Sequence, residues 1–119
     1  MPLLSDIGKY KRLAELFVLA MKADSIITSS KNNEAIECLV DHGMSERQAQ
    51  DLIDAAFARL DKGMLRSAEQ TVRDIGTYFR RSEHGIILAQ LQVIIEAGTI
   101  SEPSQIFFDV CSQYLYHDV

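Results

Sequence analysis

Apolar residues recur at intervals of three and four along almost the whole chain, the period of a helix packed on one side. From Lys9 to Ala23 the stripe is Tyr10, Leu13, Ala14, Phe17, Ala20 and Met21, and Leu16, Val18 and Leu19 widen it until little polar surface remains. A helix with so broad an apolar face is predicted to sit at the centre of the fold. The pattern lapses over 24–30, where Ser and Thr intervene, and resumes from Asn33 to His42 with Ala35, Ile36, Leu39 and Val40 on the buried side. Gly43 supplies the left-handed residue that commonly ends a helix.

Ser45 with Gln48 three residues later has the form of a capping box. It opens a third helix with Ala49, Leu52, Ile53, Ala56, Phe57 and Leu60 inward, and Gly63 stops it. Ser67 with Gln70 repeats the cap, and Val72, Ile75 and Phe79 mark a fourth helix. Ser82, followed by Glu83, is read as opening a fifth through Ile86, Ile87, Leu88, Leu91, Val93, Ile94 and Ile95. It is diluted only by Gln90 and Gln92, is predicted to be the second buried helix, and ends at Gly98. Ser101 caps a sixth, with Pro103 tolerated in its first turn. Ile106, Phe107, Val110, Cys111, Tyr114 and Leu115 supply its buried side. No alternation of period two is long enough for a strand. The expectation is an all-α, single compact bundle of six to seven helices spanning 1–119, the seventh being a short one near residues 3–8.

Composition changes this picture little, but it narrows function. At 119 residues the chain has the length of one domain and needs no disulfide or metal to fold. A net charge of −5 argues against broad nucleic-acid binding, which is driven by phosphate neutralisation, and against an anionic membrane surface. The first apolar run is broken by Glu15 and Lys22, unlike a signal peptide. The most apolar segment, 85–95, is about half the length of a transmembrane span. Two cysteines make no disulfide framework, so the expected setting is the reducing cytoplasm.

Two regions of the chain echo one another. Each has a buried helix, a short Ser/Thr/Gly turn carrying an isoleucine, then an amphipathic helix, and superposing Ile27 on Ile100 also superposes Cys38 on Cys111. The turns read Ala23-Asp24-Ser25-Ile26-Ile27 and Glu96-Ala97-Gly98-Thr99-Ile100, with Met44-Ser45-Glu46-Arg47-Gln48-Ala49 between them. Over roughly residues 13–115 the chain resembles the TerB-like family, known from tellurite-resistance proteins and a membrane-bound J-domain co-chaperone. The resemblance implies two pseudo-symmetric helical hairpins and a stress-response or defence setting. It also implies a divalent-cation site, built from the motif Asp and a following acidic residue of each copy. Here Asp24 remains, but its helical partner position is Lys31, and the second copy has Ala97 and Ser104. A hard cation wants several charged oxygens. Asp24 is therefore read as a vestigial ligand, or as a turn cap accepting backbone N–H bonds. No cofactor is expected.

The remaining candidates are modest. Cys38 and Cys111 read as small buried hydrophobes, with pairing or a redox thiol as the sharper alternative. His42, His84 and His117 lie on separate elements without metal-ligand spacing. No nucleophile with a paired base is visible, so no enzymatic activity is expected. Arg59, Lys62, Arg66, Arg73, Arg80 and Arg81 outnumber Asp61, Glu69 and Asp74 in the middle of an acidic chain. Arg73 and Arg80, seven apart, would share one helix face. The patch reads either as a site for an acidic partner, or as a solvated face paired with Asp51, Asp54 and Asp61. Phe108 and Tyr116 lie off the main stripe of the last helix, fit either for an interface or for covering a neighbouring helix. The expected function is a helical protein-interaction module with a degraded metal site, compatible with self-association. The alternatives are a divalent-cation sensor of the TerB type and a binder of an anionic ligand or nucleic acid through Arg66, Arg73, Arg80 and Arg81.

Overall fold

Six α-helices account for most of the chain: α1 Leu3–Lys22, α2 Ser29–Asp41, α3 Glu46–Asp61, α4 Ala68–Tyr78, α5 Arg81–Glu96 and α6 Glu102–Tyr114. The computed structural model describes residues 3–23, 27–97 and 101–115, with residues 3–7 described for their backbone alone, and among these no strand occurs. The chain is thus an all-helical bundle, as its periodicity requires.

Local signals set most of the helix ends. Ser45 Oγ accepts the Gln48 N–H while the Gln48 side chain accepts the Ser45 N–H, at 3.1 and 3.0 Å. Ser67 Oγ accepts the Gln70 N–H at 3.1 Å, and Ser101 Oγ the Ser104 N–H at 3.3 Å. Gly43 and Gly63 have φ of 102° and 68°. After α3 the N–H of Met64 reaches Arg59 O and that of Gly63 reaches Leu60 O, the paired bonds of a Schellman turn.

Four expectations are corrected. The short seventh helix does not exist separately, because residues 3–8 run straight into α1. Gly8 lowers helix propensity, but nothing there forces a left-handed turn. α2 begins at Ser29 rather than Asn33, because Thr28 caps it by accepting the Lys31 N–H at 3.2 Å. α5 opens from Arg80 rather than Ser82: the Glu83 carboxylate reaches back to the Arg80 N–H at 2.9 Å. Phe79 leaves the helical conformation at φ −104°, ψ 149°, so Arg73 lies on α4 and Arg80 beyond its end, and the two do not share a helix face.

α1 is the centre, packed against all five other helices. Leu13, Ala14, Leu16, Phe17, Val18, Ala20 and Met21 are fully buried. α4 and α6 approach so closely that a Cβ on Gly76 would stand 3.1 Å from the Tyr114 carbonyl oxygen. Two assigned core residues are not in the core. Val40 is exposed because α2 turns Ala35, Cys38 and Leu39 inward, and Ile106 because α6 packs through Ser104, Phe107 and Cys111. α2 and α6 are both 13 residues long, and their caps, Thr28 and Ser101, stand at the offset that superposes the two cysteines. The internal echo is therefore a repeat of local structure as well as of sequence.

Candidate functional site

A groove of about 620 Å³ lies between α2 and α5. Its α2 wall carries Glu34, Glu37 and Asp41, at the i, i+3, i+7 spacing of one helix face. Its α5 wall carries Ile86, Ala89 and Val93 at the same spacing. Ile86 is 54% and Val93 44% exposed, large fractions for branched apolar side chains in a helix otherwise turned inward. A second groove of about 490 Å³, between α2 and α3, is lined by Glu37, Asp41 and Glu46 with Ile36 and Val40. α2 therefore presents an acidic ridge, with the apolar α5 stripe on one side and a mainly polar trough against α3 on the other. Its one basic residue, Lys31, is buried.

The floor of the larger groove is rigidly built. Gln90, which dilutes the apolar run of α5 in the sequence, is buried and bridges the two helices. Its amide donates to Cys38 O at 3.2 Å, and its carbonyl meets His42 Nε2 at 2.9 Å. His42 also packs against Tyr10 and Phe79, with ring centroids 5.7 and 5.9 Å away. Lys9 Nζ lies 4.7 Å from the Phe79 ring centre and 5.3 Å from that of Tyr10, a cation–π contact behind this end of the groove. Phe79, which ends α4, thus belongs to an aromatic cluster tying α1, α2 and the α4–α5 junction together.

The central arginines are largely engaged within the fold. Arg59 Nε donates to Glu15 at 2.5 Å and Arg12 Nη1 to the other oxygen of the same carboxylate at 2.7 Å. Glu15 is only 2% exposed, so the residue that interrupts the first apolar run is a buried counter-ion for two arginines. Arg66 pairs with Asp74. Arg73 stands 3.7 Å from Glu69 and 5.5 Å from the centre of the Tyr114 ring, and the Tyr114 hydroxyl donates to Glu69 at 2.9 Å. Arg80 and Arg81 are exposed at the start of α5, and Arg81 has a partner of its own. The residues named from charge counting therefore point to several elements rather than forming one surface. None of Asp51, Asp54 and Asp61 pairs with them among the described residues, and Asp54 accepts instead from Gln50 at 2.8 Å.

Phe108 is half-buried against the core beside Ile95 of α5, covering its neighbour. Asp24 and Tyr116 lie outside the described residues. Lys31 and Ser104, at the positions where the family resemblance implies acidic ligands, are each 1% exposed. The Lys31 ammonium lies 3.5 Å from Met21 O at the C-terminal end of α1. Among the described residues no three His, Cys, Asp or Glu side chains are placed to hold a metal ion. No helix among them is long and apolar enough to cross a membrane.

Both cysteines are buried and free. Burial pushes each thiol up to about 12, from an ordinary 9.0. Two consequences follow at different pH. At pH 8 iodoacetamide is expected to alkylate the native thiols at least about a hundredfold more slowly than thiols exposed in denaturant, because the thiolate is the reacting species. With the folded pKa above the unfolded one, the thiols' contribution to stability is fully present below pH 9.0. It is lost as the pH rises from there toward about 12. Equal alkylation rates with and without denaturant would contradict the burial.

Comparison with models of known protein families, with curated proteins and with solved structures gives no match.

Proposed function

We propose that this chain is a non-enzymatic helical interaction module that binds a protein partner through the groove between α2 and α5. The observation that carries the reading is the exposed Ile86–Ala89–Val93 stripe beside the Glu34–Glu37–Asp41 row, on a floor fixed by Gln90. Exposed branched side chains aligned on one helix face favour contact with a partner over solvent. The side chains best suited to chemistry are occupied in other ways. The thiols are held protonated by burial, and His84 Nε2 is bonded to Phe79 O at 3.0 Å in the interior.

We further propose that the module is a TerB-like fold that has given up the family cation site. Support comes from the paired hairpins α1–α2 and α5–α6, with their matched caps and matched cysteines. It also comes from a buried lysine standing where a ligand carboxylate would be needed. The stress-response or defence setting is carried by that resemblance alone, and action in the cytoplasm by the two unpaired cysteines.

A photo-crosslinking residue at Ala89, compared in cells with one at Met64 outside the groove, tests the interaction reading. The expected result is a discrete protein adduct from position 89 only, lost when Val93→Asp is added while the melting temperature is kept. No adduct at 89 beyond that at 64 overturns it.

A further inference from the structure

We infer that the occupant of the α2–α5 groove is a basic amphipathic helix of a partner protein. Its apolar side would lie on Ile86, Ala89 and Val93, and its lysines or arginines against Glu34, Glu37 and Asp41. This rests on the interaction reading above and names the chemistry of the partner.

Residues spaced i, i+3, i+7 lie along a helix over about 10 Å, close to two turns. The acidic row and the apolar row therefore run side by side for equal lengths, each on its own helix. A ligand that matches both must carry cations along one edge and apolar groups along the other, over the same two turns. An amphipathic helix offers that arrangement, with anchors at i, i+3 or i+4, and i+7. The trough holds about 620 Å³ of space between its walls, and Glu83 adds a further carboxylate at the end where α5 begins.

Charge excludes the other occupants. A second copy docking through the same face would set Glu34, Glu37 and Asp41 against their own counterparts, and like charges facing one another are destabilising. A nucleic-acid backbone would meet carboxylates rather than cations. A single metal ion draws its ligands around one point, whereas these three carboxylates are strung along a helix. The fixed floor also favours a ready-made site. Gln90 bonds to both Cys38 O and His42, so the two walls are held at their spacing before any partner arrives, and little ordering cost falls on this side of the contact.

The probe is a leucine–lysine peptide about four turns long, patterned with the helical period and labelled for fluorescence anisotropy. Its controls are a scrambled peptide of the same composition, a version with glutamate in place of lysine, and free spermine. The expected result is saturable binding of the patterned peptide alone. Glu37→Lys/Asp41→Lys is expected to weaken it about tenfold or more, Val93→Asp to a similar extent, and added salt to weaken it further. All three substituted side chains are exposed, and the melting temperature of each variant confirms that the fold is kept. Equal binding of the scrambled peptide, full competition by spermine, or indifference to either variant overturns the inference. The two proposals fail separately. An adduct at position 89 whose crosslinked peptide is neither basic nor amphipathic overturns this inference and leaves the interaction module standing, whereas absence of any adduct at 89 removes the module itself.

Discussion

Removing both arginines from the buried carboxylate, as Arg12→Met/Arg59→Met, is expected to destabilise the protein by about 3–5 kcal/mol, the usual cost of stranding a buried charge. That is a large share of the roughly 5–15 kcal/mol that holds a domain together. Glu15 sits on the central helix and is 2% exposed, while the side chains of Arg12 and Arg59 are 23% and 20% exposed. The asymmetry decides which deletion hurts. Without its partners the carboxylate has no route to water, whereas Arg12 can turn outward on its long stem and only Arg59, whose Nη2 is buried, must move to do so. Glu15→Leu alone is therefore expected to cost less than the double arginine change. Adding Glu15→Leu to that double variant should restore stability close to the parent, because an apolar triad of similar volume replaces an ionic one at little net cost. Urea denaturation of the four proteins measures all of this. A triple variant no more stable than the double would mean that the arginines act through packing rather than as counter-ions. Each single arginine change should fall between the extremes, since one hydrogen-bonded cation remains.

The second large effect is expected at Lys31. Its backbone lies in the first turn of α2, where a cation is disfavoured by the helix dipole. Its ammonium, however, reaches the C-terminal carbonyls of α1 at Met21, where a cation is favoured. Lys31→Glu would bury a carboxylate beside a carbonyl oxygen, acceptor against acceptor, in a position 1% exposed. The expected loss is about 3 kcal/mol or more, enough to leave part of the protein unfolded at growth temperature. Lys31→Met keeps the apolar stem and buries no charge, so it should cost clearly less than Lys31→Glu. Thermal melts distinguish the two. Equal losses for Glu and Met would show that a carboxylate beside the Met21 carbonyl carries no penalty beyond loss of the ammonium, and would overturn this reading.

These two predictions also mark where reading the sequence fell short. Glu15 looks like a polar break in an apolar run, and Arg59 like a member of a basic patch. Their pairing across 44 positions in the chain is invisible to any local pattern. The basic patch was a count of charges in a window. Once folded, those charges are divided among Glu15 on α1, Asp74 on α4 and the Glu69–Tyr114 pair. The groove has the same origin. Glu34, Glu37 and Asp41 are visibly spaced on one face, and so are Ile86, Ala89 and Val93, but only the packing of α2 against α5 sets the two rows side by side. A signal was present in Gln90, a buried polar residue on an apolar face, since such groups require partners.

The helices and most of their ends follow from local sequence. The Ser45–Gln48 box, the Ser67 and Ser101 caps and the left-handed Gly43 and Gly63 all act within four residues of the backbone groups they satisfy. Local sequence also sets the centrality of α1, because a helix apolar on nearly every side has nowhere to lie but inside. Which polar groups meet, and which apolar ones stay outside, depends on how the helices pack. α5, apolar along most of its length, is covered by α1, α2 and α6 on its other sides and leaves Ile86 and Val93 in the open. The physical reason is one of range. Helical period and capping are set by neighbours a turn away, whereas a counter-ion or a groove wall is supplied by whichever distant helix the packing brings alongside.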